Sequence, residues 1–288
     1  MTQNKKSYAL PVARTVTDLR EIVSGWRKAG LRVGLVPTMG ALHAGHISLV
    51  DLARQQADRV VVSIFVNPTQ FAPNEDFSAY PRIESADAEK LAGHADLIFA
   101  PSADEMYPQG FSTTVTVAGV SAPLEGSFRP THFAGVATVV SKLLLQTLPD
   151  VAVFGEKDYQ QLMVIRRMVA DLNIPVAIVP GPTLRESDGL ALSSRNAYLS
   201  PEQRAVAAKL NVILRESASS VAQGEDVATV TAEGERRIIE AGFDSVDYLA
   251  ICDASSLTPF TSGKAGAPAR ILVAARIGRT RLIDNMPV

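Results

Sequence analysis

Cysteine is almost absent from this chain of 288 residues: Cys252 is the only one, so no internal disulfide bond can form. A single thiol is typical of a reducing compartment, and we therefore expect a cytoplasmic protein. Long apolar runs are absent too, and residues 1–15 lack the apolar core of a signal peptide. The composition thus argues against a membrane partner.

An excess of charge of either sign is also missing. Lys and Arg number 28 against 30 Asp and Glu, which gives a formal net charge of −2, and no basic block is present. This balance argues against nucleic acid as a partner. Apolar residues make up 47% of the chain and charged residues 20%, which is enough for one large domain or for a large and a small one.

The most informative segment is LRVGLVPTMGALHAGH, residues 31–46. Its apolar, β-branched start predicts a strand that stops at Pro37, and a helical pattern opens at His43. A strand that enters a helix through a glycine-containing turn leaves unpaired backbone N–H groups and the positive end of the helix dipole facing outward, which suits a phosphate. His43 and His46 add donors for charge on a transferred phosphoryl group, and Gly45 lets a nucleotide approach closely.

Two plainer interpretations of His43 and His46 compete with a phosphate site. One is zinc, but His94, His132 and Cys252 supply the only other imidazoles and thiol, and the motif has no acidic residue. A closed zinc site needs three or four converging ligands, so the pattern disfavours it. The other is a pair of capping or packing histidines at a helix start, which this segment alone leaves open.

Strand-like runs alternate with helical periodicity through the first two thirds of the chain. This order predicts an α/β fold, a Rossmann-like parallel sheet with helices on both faces. Ligands of such sheets bind at the carboxyl ends of the strands. The predicted strands are Val33–Val36, Val60–Val66, Leu97–Ala100, Val151–Phe154 and Val176–Val179, and the predicted helices lie near 45–57, 83–93, 131–148 and 159–172.

The pattern changes after residue 196. Ser200, Pro201 and Gln203 form a good helix start. We divide the chain into a Rossmann-like domain, 1–184, that binds nucleotide and substrate, and a smaller C-terminal α+β lid domain, 185–288, hinged near 182–190. The lid is predicted to contain a long helix to about residue 222, a second helix near 226–241, and strands Val246–Ile251, Arg270–Ala275 and Arg281–Ile283.

Two further polar segments suit phosphate. Gly155-Glu156-Lys157-Asp158 follows a strand-like run, so Lys157 is placed to neutralise charge on a phosphate at the strand end. Ser193-Ser194-Arg195 offers about seven hydrogen-bond donors. A solvated surface turn is the plain alternative for each segment.

Gln70 and Gln161 suit a small acid that carries hydroxyl groups, because a neutral amide both donates and accepts. The plain alternative for each is a solvated surface amide. An apolar wall for a branched carbon skeleton is available from Pro37, Met39, Phe71 and Val140.

His43-Ala44-Gly45-His46 resembles the HxGH motif of the nucleotidyltransferase superfamily, the Rossmann-like enzymes related to class I aminoacyl-tRNA synthetases. The longer string PTMGALHAGH is similar to that of the pantothenate synthetase (pantoate–β-alanine ligase) family. Leu184 departs mildly, because the family usually has a smaller β-branched residue in its PTxRE segment. The similarity covers nearly the whole chain through SIFVNPTQF (63–71), YPR (80–82), RPTHFAGVATVVSKLL (129–144), FGEKDYQQ (154–161), SDGLALSSRN (187–196) and RLIDN (281–285).

The resemblance implies an acid–amine ligase that condenses (R)-pantoate with β-alanine to pantothenate through a pantoyl adenylate, releasing AMP and pyrophosphate. It also implies Mg²⁺ with ATP as co-substrate, no organic prosthetic group, and a homodimer. One alternative is a nucleotidylyltransferase that joins AMP to a phosphate-bearing acceptor, which would need an additional basic cluster. The alternative from another class is a nucleotide-responsive binding protein without catalysis.

The resemblance assigns roles to particular residues as well. Asp87 matches an acidic position near magnesium, with a solvated helix face as the plain alternative, and Arg129 and His132 receive no definite role. The implied catalytic residues are His43, His46, Lys157 and Arg195. The implied ATP-binding residues are Met39, Gly40, Ala41, Leu42, His43, Ala44, Gly45, His46, Gly155, Glu156, Lys157, Asp158, Leu184, Leu192, Ser193, Ser194 and Arg195. Those implied for pantoate are Pro37, Met39, Asn67, Gln70 and Gln161, with Gln70 also near β-alanine.

Overall fold

The computed structural model describes residues 10–72, 77–266 and 268–288, and its contacts divide the chain into two compact units. The first unit contains the described residues up to Thr116 together with Thr131–Phe154 and Ile165–Gly181. The second contains Val117–Pro130, Gly155–Val164 and Pro182–Val288. The sequence-based division at 184/185 assigns 117–130 and 155–164 to the first domain, whereas their contacts group them with the second unit.

The first unit is built on a six-stranded sheet. Its strands are β1 (Val12–Ala13), β2 (Val33–Thr38), β3 (Arg59–Ile64), β4 (Leu97–Phe99), β5 (Val151–Gly155) and β6 (Ala177–Gly181). They lie in the order β1-β4-β3-β2-β5-β6, and the β1–β4, β4–β3, β3–β2 and β2–β5 pairs are parallel. The predicted Rossmann-like sheet is confirmed.

Helices cover the sheet because successive strand residues point to opposite faces. Val36, Val60 and Val62 join the apolar cluster that includes α2 and α3, while α1 and α6 pack together and also contact β2. The helices as far as the end of the sheet are α1 (Val16–Lys28), α2 (Ala44–Arg54), α3 (Glu84–Leu91), α4 (Ala103–Met106), α5 (Glu125–Phe128), α6 (His132–Thr147) and α7 (Tyr159–Asp171), of which α5 and the start of α7 belong to the second unit.

The second unit confirms the predicted α+β arrangement with an antiparallel sheet in the order β7-β8-β9. Its helices are α8 (Pro201–Ala207), α9 (Lys209–Ala222) and α10 (Val227–Glu240), and its strands are β7 (Ser245–Asp253), β8 (Ala269–Ile277) and β9 (Thr280–Pro287). The single long helix predicted to about residue 222 is wrong, because the chain breaks at Ala208 into α8 and α9. Among the described helices, none has the length and apolar content needed to cross a membrane.

Two local features differ from the sequence predictions. Helix α1 was not predicted, although its two buried residues, Leu19 and Val23, recur at helical spacing with Trp26. Strand β2 does not stop at Pro37: its register with β3 continues to Thr38, whose hydroxyl donates to the Ser63 carbonyl at 2.7 Å. Proline has no N–H to donate to a neighbouring strand. Pro37 is tolerated in β2 because the pairing with β5 has already ended at Leu35.

Candidate active site

The turn between β2 and α2 lies at the switch point of the first unit's sheet. The chain builds β3 and β4 on one side of β2 and later adds β5 on its other side. The β2–β5 pairing, Gly34↔Val151 and Leu35↔Ala152, is parallel, so the carboxyl ends of these two strands are neighbours. Doubly wound sheets bind ligands at such points. The HxGH motif is therefore positioned for ligand binding by topology as well as by its residue types.

His43 and His46 form a reciprocal pair at the start of α2. The backbone N–H of His43 donates to Nδ1 of His46 over 3.3 Å, and the His46 N–H donates to the His43 carbonyl over 2.8 Å. The ring centroids are 4.0 Å apart. Because Nδ1 of His46 accepts a hydrogen bond, the neutral ring carries its proton on Nε2. The capping contact thus uses Nδ1, and the proton of the neutral ring lies on the other nitrogen.

A buried carboxylate holds the turn that precedes His43. Asp87 of α3 is 1% exposed and accepts the N–H groups of Ala41 and Leu42 at 2.9 and 2.8 Å. Lys90 donates to the Leu42 carbonyl at 2.6 Å. Gly40 has a φ of +80°, and a Cβ there would lie 3.0 Å from Asp87 Oδ2. A glycine is required by both the backbone conformation and this close approach.

These contacts correct the expectation that the turn offers unpaired N–H groups. Those of Ala41 and Leu42 donate to Asp87, and that of His43 donates to His46. Because the first N–H groups of a helix have no carbonyl partner one turn earlier in that helix, the first turn of α2 is the part of this segment that can supply backbone donors to a ligand. Asp87 does not fit a magnesium ligand well, because both of its oxygens accept backbone N–H groups. Across the described part of the chain, no cluster of three or more His, Cys, Asp or Glu is arranged for a metal.

Asn67 orients the amide of Gln70. Asn67 is 1% exposed, and its Nδ2 donates to Gln70 Oε1 at 3.0 Å and to the Gly135 carbonyl at 3.2 Å. Its Oδ1 accepts from the Thr69 N–H at 3.3 Å and from the Tyr107 hydroxyl at 2.8 Å. Burial raises the pKa of Tyr107, which keeps this donor protonated, although the Thr69 hydrogen bond opposes the shift. Since a backbone N–H can only donate, the orientation of both amides is determined, and Gln70 directs its Nε2 donor away from Asn67.

Further contacts hold the Gln70 side chain and backbone. The Nε2 atom of Gln70 lies 3.3 Å from the Met39 sulfur, so the structure brings together Met39, Asn67 and Gln70, three of the residues predicted to bind pantoate. His132 Nδ1 lies 2.9 Å from the Gln70 carbonyl, which gives this histidine a structural contact that the sequence did not suggest. A Cβ on Gly135 would lie 2.5 Å from the Thr69 carbonyl, so α6 can approach this turn only with glycine there.

In the second unit, Lys157 lies in the 3-10 turn Glu156–Asp158 that follows β5. Asn285 of β9 donates its Nδ2 to the carbonyls of Glu156 and Lys157 at 3.0 and 2.8 Å. This buried amide is 3% exposed and was not assigned a role from the sequence, although it belongs to the RLIDN motif. The turn is therefore an ordered feature of the second unit.

The two glutamines that follow this turn differ in their surroundings. Gln160 is 4% exposed and accepts the Glu125 N–H at 3.0 Å. Its Nε2 donates to the carbonyls of Val120 and Pro123 at 3.0 and 2.6 Å. Gln160 thus has a structural role, whereas Gln161, the glutamine predicted to bind substrate, is only partly buried.

Ser193, Ser194 and Arg195 follow a short hairpin in the second unit. Arg185 and Ala191 form an antiparallel bridge within it, and Leu192 donates its N–H to the Leu184 carbonyl at 3.0 Å. Asp284 of β9, 4% exposed, accepts two hydrogen bonds from the Arg185 guanidinium at 2.7 and 2.9 Å. The 3-10 turn that begins at Ser194 is capped by the Ser193 hydroxyl, which accepts the Arg195 N–H at 3.3 Å.

Comparison with known proteins assigns a family to this arrangement. The profile of the pantoate-beta-alanine ligase family matches residues 11–287. The chain belongs to the pantoate–β-alanine ligase family. A pantothenate synthetase from Caulobacter vibrioides is 59% identical over 279 residues, covering 96% of this chain and 98% of that protein. A pantothenate synthetase from Rhodospirillum rubrum is 58% identical over 281 residues, covering 97% and 99%.

Solved members of the pantoate–β-alanine ligase family share the fold along nearly the full length. The crystal structure of pantothenate synthetase from Thermus thermophilus matches with a TM-score of 0.88 and 48% identity, covering 96% of this chain and 99% of that one. A pantoate-beta-alanine ligase from Francisella tularensis, complexed with Beta-gamma ATP and beta-alanine, matches with a TM-score of 0.81 and 38% identity, covering 96% and 97%.

Proposed function

We propose that this chain condenses (R)-pantoate with β-alanine to form pantothenate, using ATP, through a pantoyl adenylate. A carboxylate oxygen of pantoate attacks the α-phosphorus of ATP, and the bond from that phosphorus to the bridging oxygen breaks, releasing pyrophosphate. The β-alanine amine then attacks the carbonyl carbon of the mixed anhydride. AMP leaves with the carboxyl oxygen, and the new amide nitrogen loses a proton to the medium.

One observation carries the proposal: the hydrogen bond from the His43 N–H to His46 Nδ1, at the end of the strand that marks the switch point. It sets the proton of the neutral His46 ring on Nε2, where it can be donated to oxygens of a transferring phosphoryl group. A phosphoryl transfer of this kind depends on positioning and charge stabilisation. No covalent enzyme intermediate is needed for it.

Separate groups of residues serve the three substrates in this proposal. His43, Lys157 and Arg195 stabilise phosphate charge together with His46. The turn residues 39–45, the 155–158 turn, Leu184 and 192–194 complete the ATP-binding set. Gln70 and Gln161 bind the hydroxyl and carboxylate oxygens of pantoate beside Pro37 and Met39, and Gln70 also lies near β-alanine. We assign Asn67 to the orientation of Gln70, which supports pantoate binding indirectly.

The remaining assignments concern the metal, the assembly and the location. ATP is used as its magnesium complex, and the phosphate oxygens supply the ligands that this chain's acidic residues do not offer in a cluster within the described ranges. The protein forms a homodimer, as the family resemblance implies. It works in the cytoplasm, in keeping with its one cysteine.

Product identification tests the reaction. The purified protein is incubated with Mg-ATP, (R)-pantoate and β-alanine, and nucleotides and acids are separated chromatographically. Pantothenate, AMP and pyrophosphate in equal amounts are expected. Formation of ADP and phosphate instead would contradict the adenylate route, and release of no AMP or pantothenate from these substrates would contradict the proposed reaction.

A further inference from the structure

The backbone carbonyls of Glu156 and Lys157, which flank the Cα of Lys157, share one hydrogen-bond donor group. Nδ2 of Asn285 donates to the Glu156 carbonyl at 3.0 Å and to the Lys157 carbonyl at 2.8 Å. These two bonds use both hydrogens of the amide. The backbone from which the Lys157 side chain extends is therefore tied to β9, a strand more than a hundred residues further along the chain.

The orientation of the Asn285 amide is itself determined by a buried cation. Arg270 of β8 is 8% exposed, and its Nε donates to Asn285 Oδ1 at 2.6 Å. Its guanidinium carbon lies 3.8 Å from the centroid of the Tyr159 ring, at the start of α7. A reversed amide would place an NH₂ group against a guanidinium N–H, with donor facing donor. Arg270 thus keeps Nδ2 directed at the two carbonyls.

The residue before Asn285 anchors this end of β9. Asp284 forms the two-hydrogen-bond ion pair with Arg185, and its Oδ1 also accepts the Asn285 N–H at 2.7 Å. Strand β9 packs against both 3-10 turns of the second unit, Glu156–Asp158 and Ser194–Tyr198. The RLIDN motif therefore anchors β9 against these turns, a role that was not inferred from the sequence.

We propose that Asn285 is a positioning residue for Lys157, which it serves by holding the two carbonyls of the Glu156–Lys157 turn. The proposal rests on the phosphate role proposed for Lys157. Asn285 itself makes no contact with substrate in this proposal.

The test uses Asn285→Asp in the full-length protein. Aspartate keeps an oxygen that can accept from Arg270 but cannot donate to the two carbonyls. The contact between β8 and β9 is therefore kept, whereas the hydrogen bonds that hold the 156–157 turn are lost. We expect pantoate-dependent exchange of pyrophosphate into ATP to fall on the order of 10- to 100-fold in kcat, as for a small displacement of a catalytic group. In the crystal structure of the variant, the 156–157 turn should shift while β9 keeps its register.

A double-mutant cycle separates positioning from a general loss of stability. In a Lys157→Ala background, Asn285→Asp should lower exchange by less than about threefold, because the group it positions is gone. Leu282→Val, on the same strand, is the control: it should lower the melting temperature while the exchange rate stays within about twofold of the wild-type value.

Three results would overturn the proposal: an unshifted turn, exchange within twofold of wild type in Asn285→Asp, or effects that multiply fully in the double variant. Failure of the Lys157 role itself is recognised separately. In that case Lys157→Ala alone retains wild-type exchange, whatever Asn285→Asp does.

Discussion

The two turns that carry the candidate phosphate-binding groups follow neighbouring strands, β2 and β5, but they are held in opposite ways. In the turn after β2, the N–H groups of Ala41 and Leu42 are held by the acceptor Asp87. In the turn after β5, the carbonyls of Glu156 and Lys157 are held by the donor Asn285. Each turn is thus fixed by a buried side chain from an element remote in sequence.

The difference shows what each turn has left to offer a ligand. After β2, the N–H groups nearest the strand are engaged, and the phosphate binding that we propose relies on the imidazoles of His43 and His46 and on the start of α2. After β5, the carbonyls are engaged, and the phosphate binding that we propose relies on the cation of Lys157. A ring donor and a flexible ammonium suit different tasks, and the predictions below test that separation in order of expected effect.

The largest effect is expected for His46→Ala. Removing the donor on Nε2 should lower turnover by about 10²–10⁴-fold, because the group acts on charge that develops in the transition state. Steady-state AMP release measures the turnover of the purified variant, after circular dichroism has confirmed that it is folded. The matched control is His94→Ala, whose ring pairs with Asp51 at 2.6 Å outside the site and whose loss should leave turnover unchanged. Near-wild-type activity in folded His46→Ala would exclude the assigned role.

Lys157→Ala should act on one half of the reaction. Pyrophosphate leaves before the amine attacks, so adenylate formation should fall by about 10²–10³-fold and the β-alanine step by much less. Single-turnover mixing with ATP and pantoate, followed by β-alanine, separates the two rates. If the first step is unchanged and the second collapses, Lys157 does not serve the phosphates.

The positions of His43, His46 and Lys157 after strands were predictable from the sequence, whereas the side chains that hold the two turns were not. His43, His46 and Lys157 follow strands recognisable by apolar runs, and parallel topology places strand ends at one edge. Along the chain, Asp87 lies 46 residues from Ala41 and Asn285 lies 128 residues from Lys157. Local periodicity in the sequence does not predict such long-range hydrogen bonds. From the sequence alone, Asp87 is therefore interpreted as an acidic residue on a helix face, and Asn285 as part of a motif with no assigned role.

The same limit applies to the fold. The sheet and the α+β unit follow from periodicity, which is a local property. Helix α1 was missed although its apolar residues Leu19, Val23 and Trp26 recur at helical spacing and Thr15 accepts the Asp18 N–H as a cap at 3.1 Å. The assignment of segments 117–130 and 155–164 to the second unit depends on long-range contacts, such as that of Tyr248 with Glu125 and that of Asn285 with Lys157.

Asp87→Asn should have an intermediate effect. The amide can accept through only one atom, so one of the N–H groups of Ala41 and Leu42 loses its acceptor at a cost of about 1–3 kcal/mol in the free energy of unfolding. Turnover should fall by about tenfold, less than for His46→Ala, since the imidazoles remain. Urea unfolding and AMP release measure the two quantities. Asp104→Asn, an exposed acid on α4, is the control; equal effects of both substitutions would show that Asp87 has no special part.

Tyr107→Phe should have the smallest effect. It removes the 2.8 Å hydrogen bond to Asn67 Oδ1 but leaves the Thr69 N–H to orient that amide. We expect a loss of about 0.5–1.5 kcal/mol in stability and a rise of a few-fold in the KM for pantoate, with the KM for ATP unchanged. Thermal unfolding and initial rates check this. A rise in the KM for ATP alone would mean that the Asn67–Gln70 pair does not serve pantoate.

The most direct test of the central claim is isotope exchange in the absence of β-alanine. If the carboxylate is activated as an adenylate before the amine reacts, the enzyme with Mg-ATP and pantoate should incorporate labelled pyrophosphate into ATP. The exchange should require pantoate and should be strongly reduced in His46→Ala and Lys157→Ala. Exchange that appears only when β-alanine is added, or the release of ADP in place of AMP, would contradict the account even if pantothenate were produced.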